Sequence, residues 1–319
     1  MVVLVPAPGA GLRPLTAEDP MLRIDAHHHL WDQSVRPQTW MDDATSAAIG
    51  GPYSQVDWSR AAGASGVRHG VFVQTVPVAA ETPEILALAD DHPELAAVVG
   101  WLDLAQDPRS PGEQLDRLIA GRGGARLAGI RLAAEYAADP EWLDSPDVHA
   151  TAAALAERGL TLDLLVTPAH LRAAERLASA NPGTRMVINH LAKPTLRDED
   201  LTAWTHALRA FTGSEHVACK FSGFLTFDHA PMTAARLRPY TDAALEVFSP
   251  SRLMFGSDWP VSILGGGYAA AVGIAEDSLA ELSPTEQEQV WSGTARRWYP
   301  ALSAAISGSS PSPATKDPQ

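Results

Sequence analysis

The sequence predicts a single (β/α)8 barrel of the TIM type, and three observations carry that prediction. Eight short apolar runs recur along the chain with longer amphipathic stretches between most of them, the alternation of a parallel sheet wrapped in helices. The 319 residues accommodate one such barrel of about 280 residues with an extension at each end. The first apolar run closes on His27, His28 and His29, where a doubly wound open sheet would usually carry a glycine-rich phosphate loop.

The strands are expected at residues 23–30, 67–75, 95–104, 125–132, 160–166, 185–190, 216–223 and 252–257. Runs such as Val71-Phe72-Val73 and Leu162-Asp163-Leu164-Leu165-Val166 are nearly continuous in apolar character, as strands buried on both faces must be. Helical periodicity appears at 82–91, 112–120, 147–158, 169–180, 200–211 and 239–248. His92-Pro93 and Asn181-Pro182 punctuate two of these just before the next strand. The barrel is assigned to 23–302, preceded by an arm at 1–22 and followed by a Ser/Pro/Ala-rich segment, 303–319, expected to be a flexible tail.

Composition narrows the function classes. Lys and Arg total 24 against 38 Asp and Glu, a formal charge of −14, which repels nucleic acid and anionic membranes. No run of 18 apolar residues marks a membrane span. The N-terminal Val2–Val5 run is broken by Pro6 and Pro8 and has no basic residue before Arg13, unlike a secretory signal. With a single cysteine, Cys219, a disulfide framework or cysteine-rich metal site is excluded, and a cytoplasmic location is expected. The expected partner is a small-molecule substrate; an oligomer is left open.

Most of the eleven histidines read as structural. His92, His149 and His206 fall in or beside helical patterns, and His69 and His216 open strands, at the wrong end of a barrel for catalysis. His170 and His229 follow strands five and seven and are secondary candidates. Strand alternation puts His27 and His29 on one face and His28 on the other. Two imidazoles so spaced can chelate one divalent metal. His190 closes the sixth run, and Asp258 follows the eighth, where a carboxylate ending an apolar run needs a partner, a metal or a proton. Lys220 and Ser222 share a face of strand seven, and Arg131 ends strand four.

These segments, Asp25-Ala-His-His-His-Leu-Trp-Asp32, His190-Leu-Ala-Lys-Pro194, Cys219-Lys-Phe-Ser-Gly223 and Phe255-Gly-Ser-Asp-Trp-Pro260, resemble the amidohydrolase superfamily, in particular its amidohydrolase-related branch of sugar-lactone hydrolases. The resemblance runs from about Arg23 to Leu302 and implies a barrel with its site at the C-terminal mouth. It implies that His27, His29 and Asp258 hold the metal and that His190 matches the strand-six histidine. Leu132 follows Arg131 where many relatives carry histidine, and Ala192 replaces a usual glycine. Strand five lacks the ligating His or Lys of two-metal members, so one metal or none is expected.

The leading expectation is hydrolysis of a lactone or similar cyclic ester, with Asp258 as general base on water. Zinc on His27 and His29 would polarise the carbonyl and acidify the water. His190, Lys220 or Arg131 would face the oxyanion or a substrate carboxylate. Trp31, Trp40 and Trp259 flank the predicted mouth and either stack on substrate or pack the loops. Asp25 is either an orienter behind His27 or a core hydrogen-bonding group. Two alternatives stand beside this: a metal-dependent decarboxylase of the same superfamily, and a non-catalytic barrel that binds a sugar acid. A serine hydrolase is disfavoured, because neither Ser222 nor Ser257 sits in a Gly-x-Ser-x-Gly elbow.

Overall fold

Eight strands pair in sequence order, every neighbouring pair parallel. The computed structural model describes residues 21–196 and 198–308; the expected arm lies outside the described residues except for Met21 and Leu22. The strands are β1 (Ile24–His28), β2 (His69–Val73), β3 (Leu95–Gly100), β4 (Leu127–Ala133), β5 (Thr161–Leu165), β6 (Arg185–Ile188), β7 (Val217–Phe221) and β8 (Leu253–Phe255). Each falls on a predicted apolar run. Their residues are buried almost throughout, which is why the runs carry no polar alternation.

The barrel closes just past β8. A parallel bridge joins His28 to Trp259, Asp258 N donates to His27 O at 2.8 Å, and His29 N donates to Trp259 O at 2.7 Å. Gly256 makes this approach possible, since a Cβ there would lie 2.6 Å from His27 Cβ. The closing bonds therefore run through the same residues that carry the predicted metal ligands.

The helices at Glu81–Asp91, Pro111–Ala120, Pro146–Glu157, Leu171–Ala180 and Asp198–Leu208 match the predicted amphipathic stretches. The helix predicted from residue 239 begins earlier, spanning Ala234–Phe248, with Thr233 Oγ1 accepting from Arg236 N at 3.3 Å and Pro239 inside. Pro239 is the sixth helical residue and removes one backbone bond, while the Thr233 cap starts the helix ahead of it. Sequence reading missed the helices Gln55–Ala64 and Tyr268–Ser278. Both have weak apolar periodicity; the first is announced instead by a reciprocal Ser54–Asp57 capping box.

The C-terminal expectation is corrected in part. Residues 303–308 belong to a helix, Pro300–Gly308, with Leu302 buried and Ala301, Ala305 and Ile306 partly buried against the core; 309–319 lie outside the described residues. The reason lies in the barrel interior, which is lined by small residues such as Ala26, Ala97, Ala128 and Ala218. Trp298, Tyr299 and Leu302 fill that interior together with them. Among the described residues no helix is long and apolar enough to cross a membrane.

Candidate active site and metal centre

The C-terminal ends of β1, β6 and β8 converge on one cluster. His29 Nε2 lies 3.1 Å from Asp258 Oδ1, His27 Nε2 lies 3.7 Å from the same oxygen, and His190 Nε2 lies 3.9 Å from it. His28 turns outward, as alternation requires, and stacks on Trp58 at 4.4 Å between ring centroids.

Unusual backbone delivers two of these groups. His190, Leu191, Ala192 and Lys193 all have positive φ, between 49° and 58°, and Asp258 has φ 55°. Left-handed backbone costs a non-glycine residue about 1–2 kcal/mol, and such clusters concentrate at functional sites. The turn after β6 brings His190 Nδ1 to 2.9 Å from Ser222 Oγ. Gly223, at φ 71°, leaves the ring its space; a Cβ there would lie 2.7 Å from His190 Nδ1.

The side chains behind the cluster fix its hydrogens. Val73 O can only accept, so His29 Nδ1, 2.6 Å away, donates and Nε2 turns its lone pair toward Asp258. A neutral His29 and an ionised Asp258 bring two lone-pair atoms face to face at 3.1 Å, so either a proton or a metal ion belongs between them. His27, His29 and Asp258 each offer one such atom, all within 4.8 Å of one another, and this donor set fits one divalent ion. Lys220 Nζ lies 3.2 Å from His27 Nδ1 and donates there. With Nδ1 accepting, the hydrogen of a neutral His27 ring sits on Nε2, 3.2 Å from His29 Nε2; holding an ion at Nε2 requires the other tautomer, with the hydrogen on Nδ1 facing Lys220.

Burial opposes the charge on Asp258, but in the acid range where the neighbouring rings take up a proton, His190, the hydrogen bond from His29 and the Lys193 ammonium outweigh it, holding the carboxyl below its usual value. Burial drives His190 down to about 3, so it is a neutral ring at physiological pH. Arg131 is also lowered by burial, against the pull of nearby Tyr136 and Asp163, and remains charged.

Above the cluster lies a cavity of about 330 Å³. His29, Arg131, His190 and Asp258 line it, with Trp40. Thr75, Glu135 and Tyr136 also form its walls, unmarked by any sequence motif, as does Lys193, which lies within the His190–Pro194 segment. All four follow the C-terminal end of a strand, which is the positional signal that could have found them. Lys193 Nζ pairs with Glu135 Oε2 at 2.5 Å across the mouth. Arg131 Nε is buried without a hydrogen-bond partner.

Three predicted substrate contacts lie elsewhere. Lys220 has no exposed surface and is ion-paired with Asp163 at 2.6 Å inside the barrel. Trp31 lines a separate cavity, donates Nε1 to Ile49 O, and shields His29 at 6.4 Å. Trp259 is buried against Tyr53, 5.2 Å between centroids. The two tryptophans pack the loops because the chain that closes the barrel must itself be covered. Asp25 serves the core rather than the mouth, accepting from His27 N, Trp58 Nε1, Ser257 N and Oγ, and Tyr268 Oη. Among the described residues, His170 and His229 do not line the mouth.

Comparison with known proteins agrees with this geometry. A family model described as Amidohydrolase matches residues 24–301. An L-fucono-1,5-lactonase of Burkholderia ambifaria is 34% identical over 281 residues, 87% of this chain and 95% of the relative. A second L-fucono-1,5-lactonase, from Burkholderia multivorans, is 33% identical over 87% of this chain and 96% of its own. A crystal structure of an amidohydrolase from Burkholderia multivorans with bound zinc superposes with a TM-score of 0.80 at 32% identity, covering 88% of this chain and 99% of that one.

Proposed function

The chain belongs to the amidohydrolase family, and on that footing we propose that it hydrolyses a lactone, with a sugar lactone as the leading substrate class. The observation that carries this reading is the Asp258 carboxylate, kept ionised beside two histidines at the floor of a cavity also lined by Arg131, whose Nε has no hydrogen-bond partner. The likeness to two L-fucono-1,5-lactonases supports the choice of ester.

Asp258 takes a proton from water as the water oxygen bonds to the lactone carbonyl carbon. The carbonyl electron pair moves onto oxygen, where Arg131 and neutral His190 supply donors to the developing charge. Collapse of that intermediate breaks the ring carbon–oxygen bond, and Asp258 returns its proton to the departing alkoxide. The product is an open-chain hydroxy acid. Lys193, tied to Glu135, presents a cation at the rim for a substrate carboxylate or hydroxyl. His27, His29 and Asp258 would hold one divalent ion, for which zinc suits the nitrogen-and-carboxylate donor set, and which when bound supplies Lewis acidity to the carbonyl.

The test is acid release from a panel of sugar lactones, aryl lactones and amides, with and without added zinc, manganese or cobalt. Turnover of a lactone, lost by about 100-fold or more in Asp258→Asn, supports the reading. Acid release from none of them, or wild-type rates in Asp258→Asn, overturns it. Carbon dioxide released from an aryl carboxylate would favour the decarboxylase alternative.

A further inference from the structure

A second cavity of about 350 Å³ lies outside the reactive mouth. Its walls come from the segment after β1, from the start of the helix Gln55–Ala64, and from the helix Glu81–Asp91. Leu30, Trp31, Tyr53, Val56, Ile85 and Leu88 make most of it apolar. One group does not belong in such a lining. Glu81 is only 2% exposed, and its Oε2 has no hydrogen-bond partner.

A carboxylate stripped of water is costly, and the neighbouring arginine relieves it only in part. Arg36 also lines the cavity, but its Nη2 is engaged by Glu84 at 2.9 Å. The charges acting on Glu81 are Arg36 and Arg131, which favour its ionised form, and Glu84, which opposes it; burial outweighs them and raises its value to about 7. The cavity therefore offers an apolar body site, two aromatic rings and two unmet acceptors, Glu81 Oε2 and Gln55 Oε1, of which the carboxylate is the one able to carry charge.

We propose that this cavity is a binding site for a small amphiphile, a primary ammonium carried on a short aromatic or aliphatic body. The ammonium donates to Glu81 while Trp31 and Tyr53 present ring surface suited to a cation. The apolar part of the ligand covers Ile85, Leu88 and Val56, the last of which is 56% exposed without it. The site is separate from the ester chemistry and does not depend on the lactone reading. Its wall is nevertheless shared: Gln38 lines it and accepts from Thr75 Oγ1 and Trp40 Nε1, which face the mouth.

Calorimetric titration of the full chain with phenethylamine and with 2-phenylethanol, at about pH 8 so that Glu81 is ionised, tests this. One molecule of the amine should bind per chain, about 10- to 100-fold tighter than the alcohol. Glu81→Gln should erase that preference. Val56→Trp, which fills the rim without touching the core, should block both probes and decides the matter if Glu81→Gln fails to fold. Asp258→Asn should bind the amine as the wild type does. Equal affinity for amine and alcohol, no saturable heat at millimolar amine, or binding lost in Asp258→Asn but kept in Val56→Trp would overturn the proposal.

Discussion

Lys220 Nζ and Asp163 Oδ2 meet at 2.6 Å with neither side chain exposed, so the barrel encloses a complete ion pair beneath the reactive cluster. Asp163 also accepts from Asn189 Nδ2 at 3.0 Å and Tyr299 Oη at 2.7 Å, and Lys220 reaches His27. Removing one partner strands the other charge. Lys220→Met should therefore lower unfolding free energy by about 3–5 kcal/mol in urea titrations. Lys220→Met combined with Asp163→Leu should recover much of that loss; a double variant as weak as the sum of the singles would mean that packing, not charge, holds the site.

The left-handed turn after β6 yields a second prediction. Ala192 sits at φ 58° where glycine would be unstrained. Ala192→Gly should raise stability by up to about 1 kcal/mol, the relief of left-handed strain exceeding the added chain entropy. A clear loss of stability in thermal melts would show that the Ala192 methyl contributes packing worth more than the strain.

Glu81 sets a pH dependence of stability whose sign follows from its raised value. Between the unfolded value of 4.5 and the folded value of about 7, the folded protein holds the Glu81 proton more tightly than the unfolded chain. Stability from this group is present at the acid end and lost as pH rises through 7, by about 1–3 kcal/mol. Glu81→Gln should flatten that slope in denaturant titrations from about pH 5 to 8. An unchanged slope would place the titration elsewhere.

Cys219 is fully buried, and burial pushes its thiol up to about 12. The native protein should not react with Ellman's reagent at about pH 8, and one thiol per chain should appear when denaturant is added. Rapid labelling of the native protein would mean that β7 opens far more readily than its burial suggests.

Much of this molecule is legible in its sequence, for identifiable reasons. A strand buried on two faces has little place for polar residues, so runs such as 71–73 and 95–100 announce themselves. The reactive cluster is legible because its members end strands, and a strand end fixes which face a side chain takes. The directions of Trp31 and Trp259 were not legible, since they lie past the strand ends, where the turn conformation decides and no periodicity survives. Lys220 is a different case: its face is predictable, but whether it meets a carboxylate or the mouth depends on Asp163, which β5 brings across the barrel. Glu81 gave no signal at all, because an acidic residue opening a helix looks ordinary until its surroundings are known.

The interior filling has a consequence for handling the protein. Trp298 donates Nε1 to Met186 O at 3.2 Å, and Tyr299 meets Asp163, which meets Lys220, which meets His27. A cork inserted from beneath is thus wired, bond by bond, to the first imidazole of the reactive cluster. Shortening the chain through 298–302 would be felt at the opposite opening before it was felt in the walls. Such a truncation could keep its helical signal and still lose its chemistry.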